Sequence, residues 1–89
     1  SNEALAHTQR TITENRQLKQ LLQKGNEALY NATQSKSDTD LNSAEKDFKD
    51  AYDSGDTDRI VEAQRKVNEA LYEKKSVEDL RPPPQEASG

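Results

Sequence analysis

Residues 51–64, Ala51-Tyr-Asp-Ser-Gly-Asp-Thr-Asp-Arg-Ile-Val-Glu-Ala-Gln64, decide how the chain folds. From Asp53 to Arg59 there is no apolar residue, and the composition is that of a turn. A glycine just past a helix can take the left-handed conformation, and Asp or Thr after it can cap the next helix. Gly55 should therefore end one helix, and Asp56 or Thr57 should begin another. Upstream, Leu41, Ala44, Phe48, Ala51 and Tyr52 step by three and four behind the candidate N-caps Thr39 and Asp40. Downstream, Ile60, Ala63, Val67, Ala70, Leu71 and Val77 line one side of a helix from about Thr57 to Leu80. Pro82, Pro83 and Pro84 stop it, because proline lacks the amide hydrogen and clashes with the preceding turn. A connection of about four residues makes neighbouring helices antiparallel. Residues 41–80 thus read as a helical hairpin with its turn at 53–56.

Towards the N-terminus, Leu18, Leu22, Gly25, Leu29 and Ala32 alternate steps of four and three, the seam spacing of a coiled coil. Leu5, Thr8, Ile12, Asn15, Lys19 and Leu22 keep the heptad in a slightly different phase, so the seam drifts and includes polar positions. Residues 1–34 read as one long amphipathic helix, roughly 45 Å over about 30 residues. Such a helix cannot bury its stripe alone. The polar run Thr33-Gln-Ser-Lys-Ser-Asp-Thr-Asp40 predicts a turn at 35–40, and residues 81–89 read as a Pro-rich flexible tail.

Composition limits what this chain can do. Of 89 residues, 29% are hydrophobic and 34% charged, with a mean hydropathy of -1.24. Ile, Leu, Val and Phe make up about 16%, below the roughly 20% under which a strongly charged chain reads as disordered. The net charge is only -4, however, and both signs are interspersed. A chain of this kind escapes disorder through long solvated helices or through burial against other chains. The size argues against a deep enzyme cleft, since a chain this small buries only about 60% of its unfolded surface.

Candidate chemistry is sparse. There is no Cys for a disulfide, a nucleophile or a thiolate metal site, and His7 is the single histidine. Asp38, Asp40 and Asn42 have the first spacings of a calcium loop, but Ser43 and Lys49 occupy its glycine and glutamate positions. Asn31-Ala-Thr33 fits a glycosylation acceptor without any sign of secretion, and Arg81-Pro-Pro-Pro-Gln85 is a helix stop and stiff linker before it is a groove ligand. Residues 37–58 hold two basic and eight acidic side chains, against five and three in residues 1–36. This distribution argues against a nucleic-acid interface, which needs a basic face, and favours a solvated acidic face or a patch for a basic partner. No apolar run reaches the length of a membrane span. Lys24-Gly-Asn-Glu-Ala-Leu-Tyr30 returns as Lys66-Val-Asn-Glu-Ala-Leu-Tyr72, an echo readable as a duplicated helix segment or as coincidence in a repetitive helical sequence.

The run Ala51 to Gln64, followed by a polar helix and Leu80-Arg-Pro-Pro-Pro84, resembles the coiled-coil segment of tailed-bacteriophage scaffolding-type, or coil-containing structural, proteins. The matching positions are Ala51, Tyr52, Gly55, Asp56, Ala63 and Gln64, over roughly residues 40–85. The aromatic-rich C-terminal region of such proteins is missing here. The resemblance implies a virion-assembly role, a capsid or other virion protein as partner, and a location in the host cytoplasm or the virion; without it, the expected location is cytoplasmic.

The expected molecule is all-α: a long coiled-coil-like helix followed by an antiparallel hairpin, oligomeric, non-enzymatic and without cofactor, metal, nucleic-acid or membrane partners. Leu18, Leu22 and Leu29 are the candidate seam of the long helix. Leu41, Phe48, Tyr52, Ile60, Val67 and Leu71 are candidates for the hairpin or inter-chain core, with Gly55 and Asp56 at the turn. Asn15 and Gly25 on the seam are candidates for fixing register. The competing expectation is a helical-repeat-like adaptor whose acidic turn receives a basic peptide or protein.

Overall fold

A computed structural model describes residues 1–84, which form two helices, α1 (Asn2–Ser54) and α2 (Thr57–Glu78). Residues 85–89 of the expected tail lie outside the described residues. Ser1 caps α1 by accepting from the Ala4 amide at 3.2 Å. At the other end Gly55 adopts φ 70, ψ 3 and donates its amide to the Tyr52 carbonyl at 3.2 Å. A side chain at that φ would suffer strain between its Cβ and the backbone. Asp56 caps α2, its carboxylate accepting from the amides of Asp58 at 3.0 Å and Arg59 at 3.3 Å. The chain reverses between these two caps.

The expected turn at 35–40 is absent, because α1 runs through it without a break. The segment has turn-forming side chains but neither Gly nor Pro to stop a helix. Three of its polar side chains bond within the helix instead. The Thr33 hydroxyl donates to the Leu29 carbonyl at 2.8 Å, and Lys36 pairs with Asp40 one turn on, also at 2.8 Å. Ser37 lies against α2 with 1% of its surface exposed. At its other end α2 stops at Glu78, two residues before the expected Leu80. A proline at 82 disfavours helical geometry at the residue before it.

The hairpin is longer than the expected 41–80. Tyr30, Gln34, Ser37, Leu41, Ala44, Phe48 and Ala51 keep unbroken heptad spacing on α1, and Ile60, Ala63, Val67, Ala70, Lys74, Val77 and Arg81 keep it opposite. Both ends of the pairing are pinned. Gly55 closes one, and at the other the Arg81 guanidinium donates to the Tyr30 hydroxyl at 3.3 Å and sits 5.8 Å from the centre of that ring. The intervening register sets Ile60 opposite Ala51, Phe48 opposite Ala63, Val67 opposite Ala44 and Leu41 opposite Ala70. Each of these layers matches a large side chain with an alanine, so large and small side chains interdigitate across the pairing.

Among the described residues, Leu41, Ala51, Ala63, Ala70 and Val77 are the buried apolar ones; Ala44, Phe48, Ile60 and Val67 are half-buried. Tyr52 and Leu71 do not join this intrachain core. Each sits one position off the seam and faces solvent, although the Tyr52 ring lies 6.5 Å from that of Phe48. The layer at Ser37 is polar: its hydroxyl has no hydrogen-bond partner, and Lys74 reaches Asp38 at 3.6 Å, an ion pair too long to be a hydrogen bond.

The two copies of the internal echo occupy different environments. Tyr30 is half-buried beneath Arg81, whereas Tyr72 is exposed on the outer face of α2.

Candidate oligomerisation surface

At 1.5 Å per residue, 53 helical residues span about 80 Å and 22 span about 33 Å. The molecule measures 81 × 16 × 14 Å, so α1 alone sets its length and α2 covers less than half of it. The N-terminal part of α1, from Asn2 to Leu29, projects past α2 as a single helix of about 42 Å. We call this part the arm.

The arm carries most of the exposed large apolar side chains. Leu18, Leu22 and Leu29 are 55%, 60% and 68% exposed, and Leu5, Ile12 and Leu21 are also open to solvent. The structure thus separates the residues singled out by sequence into two groups. Leu41, Phe48, Ile60 and Val67 meet in the hairpin, while Leu18, Leu22 and Leu29 stay well exposed on the arm, Leu29 beside the hollow that Val77 and Leu80 line. Leu21 escapes a strict heptad reading, yet it widens the patch because positions three and four apart share a helix face. Tyr30 and Arg81 were also unexpected, since neither is aliphatic. Their signal is the heptad step, three or four residues beyond Gln34 and Val77.

The arm's stripe ends at Leu29 and the hairpin seam begins at Tyr30. One residue is 100° of rotation in an α-helix, so the two faces are turned by about a quarter of the circumference. Extending α2 along the same seam would cover Gln23, Gln20 and Arg16 and leave the leucines in water. The arm's apolar face therefore belongs to a different interface from the hairpin's.

Charge differs along the rod as well. Residues 1–29 carry four basic and three acidic side chains, whereas residues 37–58 carry a net charge of -6. On the outer face of α2, Arg65 bridges Glu62 at 2.7 Å and Glu69 at 2.8 Å. The hydrogen bond from Arg65 holds the Glu62 carboxyl below its ordinary range and raises the guanidinium in turn. Both side chains are well exposed, so the pair contributes little to stability.

The hollows on the surface are shallow and open. One lies at the open end of the hairpin between Asn26, Leu29, Val77, Leu80, Pro82 and Pro83. Among the described residues no group of acidic, His or Cys side chains converges to hold a metal ion, and no helix is long and apolar enough to cross a membrane. What the geometry offers is a long rod with an exposed leucine stripe at one end. Comparison with models of protein families, with curated proteins and with solved structures returns no match.

Proposed function

We propose that this chain is a non-enzymatic assembly module that self-associates through its arm. One observation carries the reading: a helical arm of about 42 Å with six large apolar side chains exposed, of which only the last, Leu29, lies beside the end of α2. An isolated helix is marginal in water, and most helical stability in proteins comes from packing an amphipathic face. A contiguous exposed apolar patch on a polar chain marks an interaction site. The hairpin then acts as a rigid head that holds the end of the arm. The resemblance at Ala51 to Gln64 and Leu80 to Pro84 supports a finer reading, a segment of a phage scaffolding or virion structural protein with a capsid or other virion protein as further partner.

Sedimentation across a concentration series tests the reading. The wild-type chain should show a mass that rises to a multiple of 10.0 kDa. Replacing Leu22 and Leu29 together with Asp should return it to the monomer while the hairpin stays folded. A wild-type chain that remains monomeric at high concentration, or a double variant of unchanged oligomeric mass, would overturn the reading.

A further inference from the structure

We propose that the partner on the arm is a second copy of this chain running antiparallel, with Leu5 of one copy opposite Leu29 of the other and Ile12 opposite Leu22. This rests on the self-association reading and adds orientation and register to it. Along the heptad that runs through Leu5, Ile12, Leu22 and Leu29 the stripe has the same character from either end, with Leu18 and Leu21 on one flank. Leu5, Thr8 and Ile12 lead in from the N-terminus, Leu29, Asn26 and Leu22 lead in from the hairpin, and Asn15 and Lys19 lie between them. Reversing one copy therefore matches apolar with apolar and polar with polar at every layer.

A parallel pairing would also match like with like, but its charges conflict. It would set Lys19 against Lys19 inside the seam and lay two segments of net charge -6 side by side. Like charges directly opposed across an interface are unfavourable, and a field of one sign repels its copy. The antiparallel pairing puts Lys19 opposite Asn15 and carries the acidic hairpin tips to opposite ends of the rod. Its remaining like-charged contact, Arg16 with Arg16, falls on the solvated flank of the seam.

The ends also fit. The register brings Leu5 of the second copy to Leu29, beside the open hollow between Leu29, Leu80 and Pro82. The arms overlap over their whole length and stop where α2 begins to occupy the neighbouring face. The resulting rod would be about 115 Å long, against about 80 Å for the parallel form.

The chain has no native Cys, so paired single-cysteine variants read the orientation directly. Thr8→Cys and Asn26→Cys leave the leucine layers intact. When the two variants are mixed and oxidised, the expected result is a disulfide-linked heterodimer, with each variant alone giving less than a tenth of that yield. Efficient linkage of each variant with itself would overturn the antiparallel orientation and preserve self-association. No linkage with an oligomeric mass would place the interface off the arm, and no linkage with a monomeric mass would overturn self-association itself. Small-angle scattering on the wild-type dimer gives an independent check: a maximum dimension near 80 Å would contradict the proposal.

Discussion

Ser37 shows how one residue can be out of place chemically and in place geometrically. It occupies a heptad position in the middle of the hairpin, buried, with a hydroxyl that has no hydrogen-bond partner. A buried polar group without a partner keeps its desolvation penalty, of the order of 1–3 kcal/mol. Alanine at this site removes that penalty, fits the small-residue pattern of Ala44 and Ala51, and has the higher helix propensity. Ser37→Ala should therefore stabilise the hairpin by about 1 kcal/mol, read as a higher midpoint in urea with an unchanged slope. A destabilised variant would mean that the Ser37 hydroxyl has a bonding role alongside Asp38 and Lys74. Those two side chains make this the polar layer of the hairpin, and a polar layer in a coiled coil specifies register at a cost in stability.

Within the hairpin, the decisive property is the alternation of large and small residues. Ala70 is buried opposite Leu41, so Ala70→Leu would force two branched side chains into one layer and push the axes apart. Overpacking of this kind costs roughly 1–3 kcal/mol, and thermal unfolding should show a corresponding fall in Tm. A neutral result would mean that the helices are not held at close approach. The hairpin turn was legible in the sequence because Gly55 and Asp56 each do something specific to the backbone, one by its left-handed φ and the other by capping. The 33–40 segment was not, because its composition resembles that of residues 53–59 while it lacks the glycine. Polar side chains permit a turn but do not compel one. Here the packing of α2 along α1 keeps the helix intact, and the heptad continues through Gln34 and Ser37, positions that hydrophobicity alone passes over. Tyr52 and Leu71, candidates for the hairpin or an inter-chain core, stay out of the hairpin for the converse reason. Both are apolar neighbours of seam positions, and rotation by one residue is enough to turn a side chain into water.

At the scale of the molecule, two interfaces share one helix. The hairpin interface is closed within the chain, and the arm interface, turned by about a quarter of the circumference, is open. The shortage of aliphatic residues seen in the composition is thus local: the leucines are concentrated on the arm, while alanines fill much of the hairpin. This division predicts two separable stabilities. Local opening free energies follow the packing around each segment, and amide exchange reports them. In dilute solution, amides of the hairpin from about residue 34 to 54 and from 60 to 77 should exchange slowly and independently of concentration. Amides between residues 8 and 28 should exchange fast when the chain is monomeric and slow together as concentration rises, because their protection comes from the second copy. Concentration-dependent protection confined to the hairpin would show that the copies meet there, and uniform protection of the arm at every dilution would show that the long helix needs no partner to stay formed.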